Sequence, residues 1–513
     1  MRMPSSLAQR AIVAYVAISV AMFLDRVDAY SFGGQAKALE REFGISLQAI
    51  SLLTTVQMLS MCVATTVWGQ IADSAAVRRK VILMAGSAGW GCACLAMAFA
   101  TSYWQLMVLR LINGAALGAV VPIGQSVVGD IFVGSMQKHR GAAYGLQLAV
   151  GAMGGVVGQY TSTAYAEVLV FGGTAGWRVQ IATVGVCSLA FSLGVGLLVS
   201  EVLILPGRTA AAPAKPPSCS AKRFRGLMTH VLGVPSFQML FAQGLFGVVP
   251  WSAIFSFAPL LLQHAGLSAE ETARIVSSFS FSAALGLLLG GYLGDLAHRR
   301  WSETTGRVRV AQLTILLGLA CQIILFTAIP AEATSGPAYL AIFFLMGLLA
   351  TWAGVGCNKP ILLEIVPHDY RATAMAWDWT LENTSGVLFG TALVSFLAED
   401  VFGYHASTTA ISDLTKAERA HNVQTLSRAM LIMCVVPSLC AAAIYTGLGC
   451  TYARDRARMK EVARVNVAPL AHQDQHATTA TLGHDSDPSF RVMELRELVA
   501  DTSDTSSDSP RRA

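Results

Sequence analysis

The sequence predicts an all-α membrane protein, with twelve transmembrane helices in two pseudo-symmetric six-helix bundles. Three observations predict this. Of its 513 residues only 13% are charged while 54% are hydrophobic, whereas a soluble domain carries about 25% charged residues. The charges that remain are clustered, and apolar stretches of about 20 residues lie between them, long enough to cross a bilayer as a helix. A loop pattern in the first half of the chain also returns at the matching place in the second half.

Spans are expected near 11–33, 48–71, 80–100, 104–128, 141–169, 179–204, 236–262, 273–294, 309–329, 338–360, 372–397 and 427–450. Lipid offers the backbone no hydrogen-bond partner, so each must be a helix; the alternation and frequent turns of a barrel are missing. The 46 glycines suit close helix packing. Arg2 and Arg10 precede the first apolar run as they would in a signal peptide. That run is too long and holds Asp25, Arg26 and Asp28, so it reads as a retained span. Nine of the ten cysteines lie in apolar stretches or at their ends, which predicts small core residues rather than disulfides or metal ligands.

Proline-rich residues 206–230 divide the chain. The expected units are a first bundle over 1–205, a central cytoplasmic loop over 206–230, a second bundle over 231–452 and a disordered cytoplasmic tail over 453–513. Alternate loops differ in charge: one set holds fifteen lysines and arginines, the other six. The positive-inside rule then puts the first set and both termini in the cytoplasm. A plasma membrane and an endolysosomal membrane fit equally well.

The repeat is specific. Gly69-Gln70-Ile71-Ala72-Asp73 followed by Arg78-Arg79-Lys80 is echoed 222 residues later by Gly291-Tyr292-Leu293-Gly294-Asp295 followed by Arg299-Arg300. Arg140-Gly141-Ala142-Ala143 is likewise echoed by Arg371-Ala372-Thr373-Ala374. Duplicated halves with a substrate site between them are common in transporters. On these residues, with Arg110 and Gly114 in span four and Gly176-Trp177-Arg178 opening span six, the chain resembles the major facilitator superfamily over about residues 10–450. Asp25-Arg26 in span one and Gly129-Asp130 ending span four are similar to its spinster branch, which implies lysophospholipid or sphingolipid-type substrates. Spinster-like proteins usually carry a glutamate about seven residues after the arginine of span four. Here that residue is Leu117, which puts proton coupling through that position in doubt.

Charges inside a span cost about 2.5–3.5 kcal/mol each and mark candidate sites. Asp25 and Asp28 share a face of span one, and helical rise places Asp25 near the depth of Arg110, allowing a pair. Asp378 and Glu382 are one turn apart in span eleven, with Asn383 beside them. Lys359 could reach Asp378 as an inner gate. The substrate or coupling candidates are therefore Asp25, Asp28, Arg110, Glu382 and Asn383. The superfamily resemblance implies a latch at the inner helix ends, here Asp73, Arg78, Arg79, Asp130, Arg140, Asp295 and Arg299, with Lys359 and Asp378 as the gate.

The expected function is alternating-access transport of a small amphipathic or anionic solute, with a lysolipid among the candidates. A proton-coupled carrier of sugar, organic acid or drug is the alternative, and a transporter-like receptor the alternative of another class. No phosphate-binding loop or zinc motif occurs. Neither enzyme activity nor a cofactor, a metal or nucleic-acid binding is expected. The partners foreseen are the substrate, the bilayer and a coupled proton, and the chain is expected to act as a monomer.

Overall fold

The computed structural model describes residues 5–73, 77–120, 140–170, 172–199, 232–366 and 371–480. Helix is the dominant element. The first half contains α1 (Ser5–Phe43), α2 (Leu47–Asp73), α3 (Arg79–Ala98), α4 (Tyr103–Leu117), α5 (Arg140–Tyr165) and α6 (Gly176–Leu198). Between α5 and α6, β1 (Leu169–Val170) pairs antiparallel with β2 (Thr174–Ala175).

The second half contains α7 (Pro235–Gly247), α8 (Val249–His264), α9 (Ala269–Arg300), α10 (Gly306–Thr327), α11 (Gly336–Leu349), α12 (Lys359–Ile365), α13 (Arg371–Ser385), α14 (Leu393–Phe396) and α15 (Lys416–Ala480). Among the described residues, eight helices are long and apolar enough to cross a membrane. The other expected spans are also helical over their described parts, consistent with twelve.

Local sequence explains the boundaries. Ser102 and Ser268 start α4 and α9 as capping boxes with Gln105 and Glu271, each satisfying backbone donors that a helix start leaves open. Span seven is divided at Val248, just before Pro250, which brings no N–H to the helix. Pro360 likewise cannot bond back into the preceding turn, and residues 354–358 form a wide π turn before it. A second π turn covers 386–392. The disordered tail expected from residue 453 is corrected in part: α15 continues to Ala480. Residues 453–464 are rich in Ala and Arg, which are good helix formers. Residues 1–456 form one compact unit and 457–513 a second.

Within the first half, α1 packs on α5, α2 on α4 and α3 on α6; in the second, α9 packs on α11. The approach of α1 to α5 is close enough that a Cβ at Gly154 would collide with the Phe23 carbonyl. The halves meet along α5–α9, α1–α8 and α2 against the 386–392 turn.

The two halves are tied together at the α1–α2 end. Lys37 pairs with Glu40 at 3.3 Å and donates to the Ser407 carbonyl at 2.8 Å, while Ser407 N donates back to Glu40 at 2.6 Å. Glu399 accepts from the backbone N–H groups of Leu47 and Gln48 at 2.5 and 3.2 Å, so a carboxylate of the second half caps the start of α2.

Candidate functional site

Arg110 is buried in α4, only 2% exposed. Its Nη1 donates to Gln57 Oε1 at 2.8 Å, and its guanidinium lies 4.0 Å from the centre of the Phe32 ring. Gln57 in turn donates to Asp28 at 3.2 Å and to Asn113 at 2.7 Å. Asn113, one turn after Arg110, donates to Cys94 Sγ at 3.3 Å. A neutral amide therefore stands between the carboxylate of α1 and the guanidinium of α4. Among the described residues Arg110 has no carboxylate within 4.0 Å, and its remaining donors have no protein acceptor.

The expected Asp25–Arg110 pair is thus corrected. Asp25 is buried and its ion pair, at 3.9 Å, is with the adjacent Arg26. Asp28 lies one turn nearer the α1–α2 end and faces the α2–α4 seam, so it is Asp28 that shares Gln57 with the arginine. Phe32 also lines a small cavity between the halves, with Tyr30, Ser51, Thr54, Phe255 and Thr391.

The second half carries its own polar set. Asp378 and Glu382 are half-buried on α13 and border the same point of α7, because a Cβ at Gly244 would lie 3.7 Å from Asp378 Oδ1 and 3.6 Å from Glu382 Oε1. Neither accepts a hydrogen bond from the described residues. Beside them Asn358 donates to Gln243 at 2.8 Å and accepts from Tyr445 at 2.6 Å, all three buried. Two expectations change here. Lys359 is exposed and makes no ion pair with Asp378 within 4.0 Å among the described residues, so it acts on Asp378 and Glu382 only at longer range. Asn383 donates to the Trp379 carbonyl of its own helix at 2.8 Å, so its amide serves α13 itself.

At the opposite end from the Lys37–Glu40 contact, Asp295 pairs with Arg307 at 3.1 Å rather than with Arg299, which is exposed. Arg307 also meets Glu364 at 2.6 Å. Glu364 takes Arg456 at 2.5 Å and the Tyr452 hydroxyl at 2.6 Å, and Arg456 reaches Glu303 at 2.8 Å. One planar guanidinium serving two carboxylates outcompetes a neighbour on the same helix. This cluster joins α9, α10, α12 and α15 within the second half. In the first half Arg78 and Arg79 stand at the start of α3. Asp130 and the side chains of Asp73 and Arg140 lie outside the described residues.

A family model of the Major Facilitator Superfamily matches residues 18–407. The chain belongs to the Major Facilitator Superfamily. It is accordingly a multi-pass membrane transporter. A curated relative, the sphingosine-1-phosphate transporter SPNS2 of Danio rerio, is 23% identical over 77% of this chain and 78% of its own length. The 4-hydroxybenzoate transporter PcaK of Acinetobacter baylyi is 22% identical over 76% of this chain and 84% of its own. The solved structure of a bacterial homolog to the human lysosomal transporter Spinster, inward-facing and unoccupied, superposes with a TM-score of 0.72. It is 19% identical and covers 87% of this chain and 98% of its own.

Gln57, Asn113 and Glu364 were not singled out by the sequence. Asn113 had one signal, its place three residues after Arg110 on the same helical face.

Proposed function

We propose that this transporter carries an anionic amphipathic solute by alternating access, with Arg110 as the acceptor of the anionic group. The observation that carries this reading is a buried guanidinium held by an amide and an aromatic face, with no carboxylate in direct contact among the described residues. A cation in such a place is stabilised by its ring contact by roughly 2 kcal/mol, and its nearest counter-charge, Asp28, is held off by the amide. Two relatives are named for solutes that supply one: a phosphate in sphingosine-1-phosphate, a carboxylate in 4-hydroxybenzoate. The aromatic cavity beside Phe32 suits an apolar portion. Asp28, on the far side of Gln57, would favour release when the amide turns, and Asp25 would hold Arg26.

In this reading the halves are the rocking bodies, 206–230 links them, and both termini face the cytoplasm, as the loop charges favour. The protein then rests closed on its outer side. The chain works as a monomer. Proton coupling is weak and falls to Glu382, since Leu117 replaces the usual carboxylate of span four.

Proteoliposome uptake of matched pairs tests the substrate class: sphingosine-1-phosphate against sphingosine, and 4-hydroxybenzoate against its methyl ester. Protein-dependent flux of at least one anion, and of neither neutral partner, is expected. Flux of the neutral members alone, or no flux of any, would sink the reading, the latter in favour of a sensor.

A further inference from the structure

The second half carries an open cavity of about 740 Å³ away from the path between the halves, among the ends of α8, α10, α11 and α15. Its lining is mixed, with the charged and amide side chains confined to one helix. Leu261 of α8, Leu325 and Phe326 of α10 and Tyr339 of α11 make one side apolar. The other side is α15, where Gln424, Ser427 and Arg428 recur at helical spacing beside His421, Val423 and Leu431. Arg428 is exposed into this space and makes no hydrogen bond or ion pair among the described residues. The acids nearest the cavity in sequence are engaged elsewhere: Glu418 accepts from Thr415 and Glu332 from Thr334. No charged residue lies between Arg428 and Arg454. Arg428 therefore stands where α15 enters the apolar layer, the level of lipid headgroups.

We propose that this cavity is a binding site for an anionic membrane lipid, with the phosphate on Arg428 and an acyl chain against the Leu261–Phe326 wall. The mixed lining selects the class. A soluble anion would leave the apolar wall without a partner, and a zwitterionic lipid brings its own cation to compete with the arginine. An anionic amphiphile satisfies both sides at once. The site is separate from Arg110, so it stands whatever the transported solute.

Native mass spectrometry of the purified full chain tests this with phosphatidylglycerol, phosphatidylcholine and glycerol phosphate as probes. The wild type should retain phosphatidylglycerol at least fivefold over phosphatidylcholine and should not hold glycerol phosphate. Arg428→Gln should remove the preference. Ala420→Trp, which puts an indole into the cavity about two turns from the arginine and keeps its charge, should remove it too, and both positions are exposed, so folding should survive. A wild-type preference in both variants would overturn the proposal. So would a wild type without preference, or one that binds glycerol phosphate as well as the lipid, which would mark a soluble-anion site.

Discussion

Gln57 decides what Arg110 can do. Had Asp28 met the guanidinium directly, a substrate anion would have to displace a buried carboxylate, and breaking such a pair costs about 3–5 kcal/mol. The amide holds the arginine in place and keeps Asp28 out of direct contact with it. Gln57→Glu puts a carboxylate where the amide was, 2.8 Å from Arg110, and should lower anion uptake at least tenfold in proteoliposomes while the protein remains folded. Wild-type uptake would refute the spacer role. Glu382 belongs to the same scale. It lies one turn from Asp378 without a hydrogen-bond donor among the described residues, so whatever accumulation a pH gradient drives should vanish in Glu382→Gln. Strong gradient-driven accumulation that persists there would place coupling elsewhere. The charged members of both sites were legible because a charge in a span is costly and therefore conspicuous. Gln57 and Asn113 were not, because a neutral amide in a membrane helix looks like the many serines and threonines around it. The partner of Arg110 was misjudged for a related reason: helical rise fixes depth, but Asp25 and Asp28 differ by one turn, and the neighbouring helix chooses between them.

Elements show where hydropathy stops being informative. α1 continues ten residues past its apolar run, to Phe43, since Gln35–Phe43 is polar yet full of helix formers such as Ala, Leu, Glu and Arg. Hydropathy reports the lipid boundary and not the end of the helix. The loop aspartates gave a similar half-answer. Asp295 does close an ionic cluster, but the acid at its centre is Glu364, at the end of the short helix α12. Glu364 holds two guanidiniums and a phenol. Its side chain is 27% exposed, so solvent screens part of the loss, and Glu364→Ala should cost about 1–3 kcal/mol. A drop of a few degrees in melting temperature is the expected reading. An unchanged melting temperature would mean that the cluster contributes nothing measurable to stability.

The whole molecule is two helical halves joined at the α1–α2 end by contacts that use backbone as much as side chain. Gly33 sits in that seam, where a Cβ would strike the Phe255 carbonyl; Glu399 and Glu40 complete it. Glu399→Ala uncaps α2 and should let this end open. Spin labels at residues 45 and 406 should then show a longer distance component that the wild type lacks, and identical distributions would count against the clasp. The two-bundle plan was readable from the repeated loops, because duplication leaves its mark in sequence. The closure of the α1–α2 end was not, since it depends on a few long-range contacts that no local pattern encodes. The account rests most heavily on Arg110 as the group that takes the anion. The direct test is protein-dependent uptake of the anion identified in the matched-pair assay, compared between wild type and Arg110→Gln at equal protein in the liposome. The variant keeps a donor for Gln57 but no charge, so uptake should fall at least tenfold. A variant that carries the anion at the wild-type rate would contradict the account.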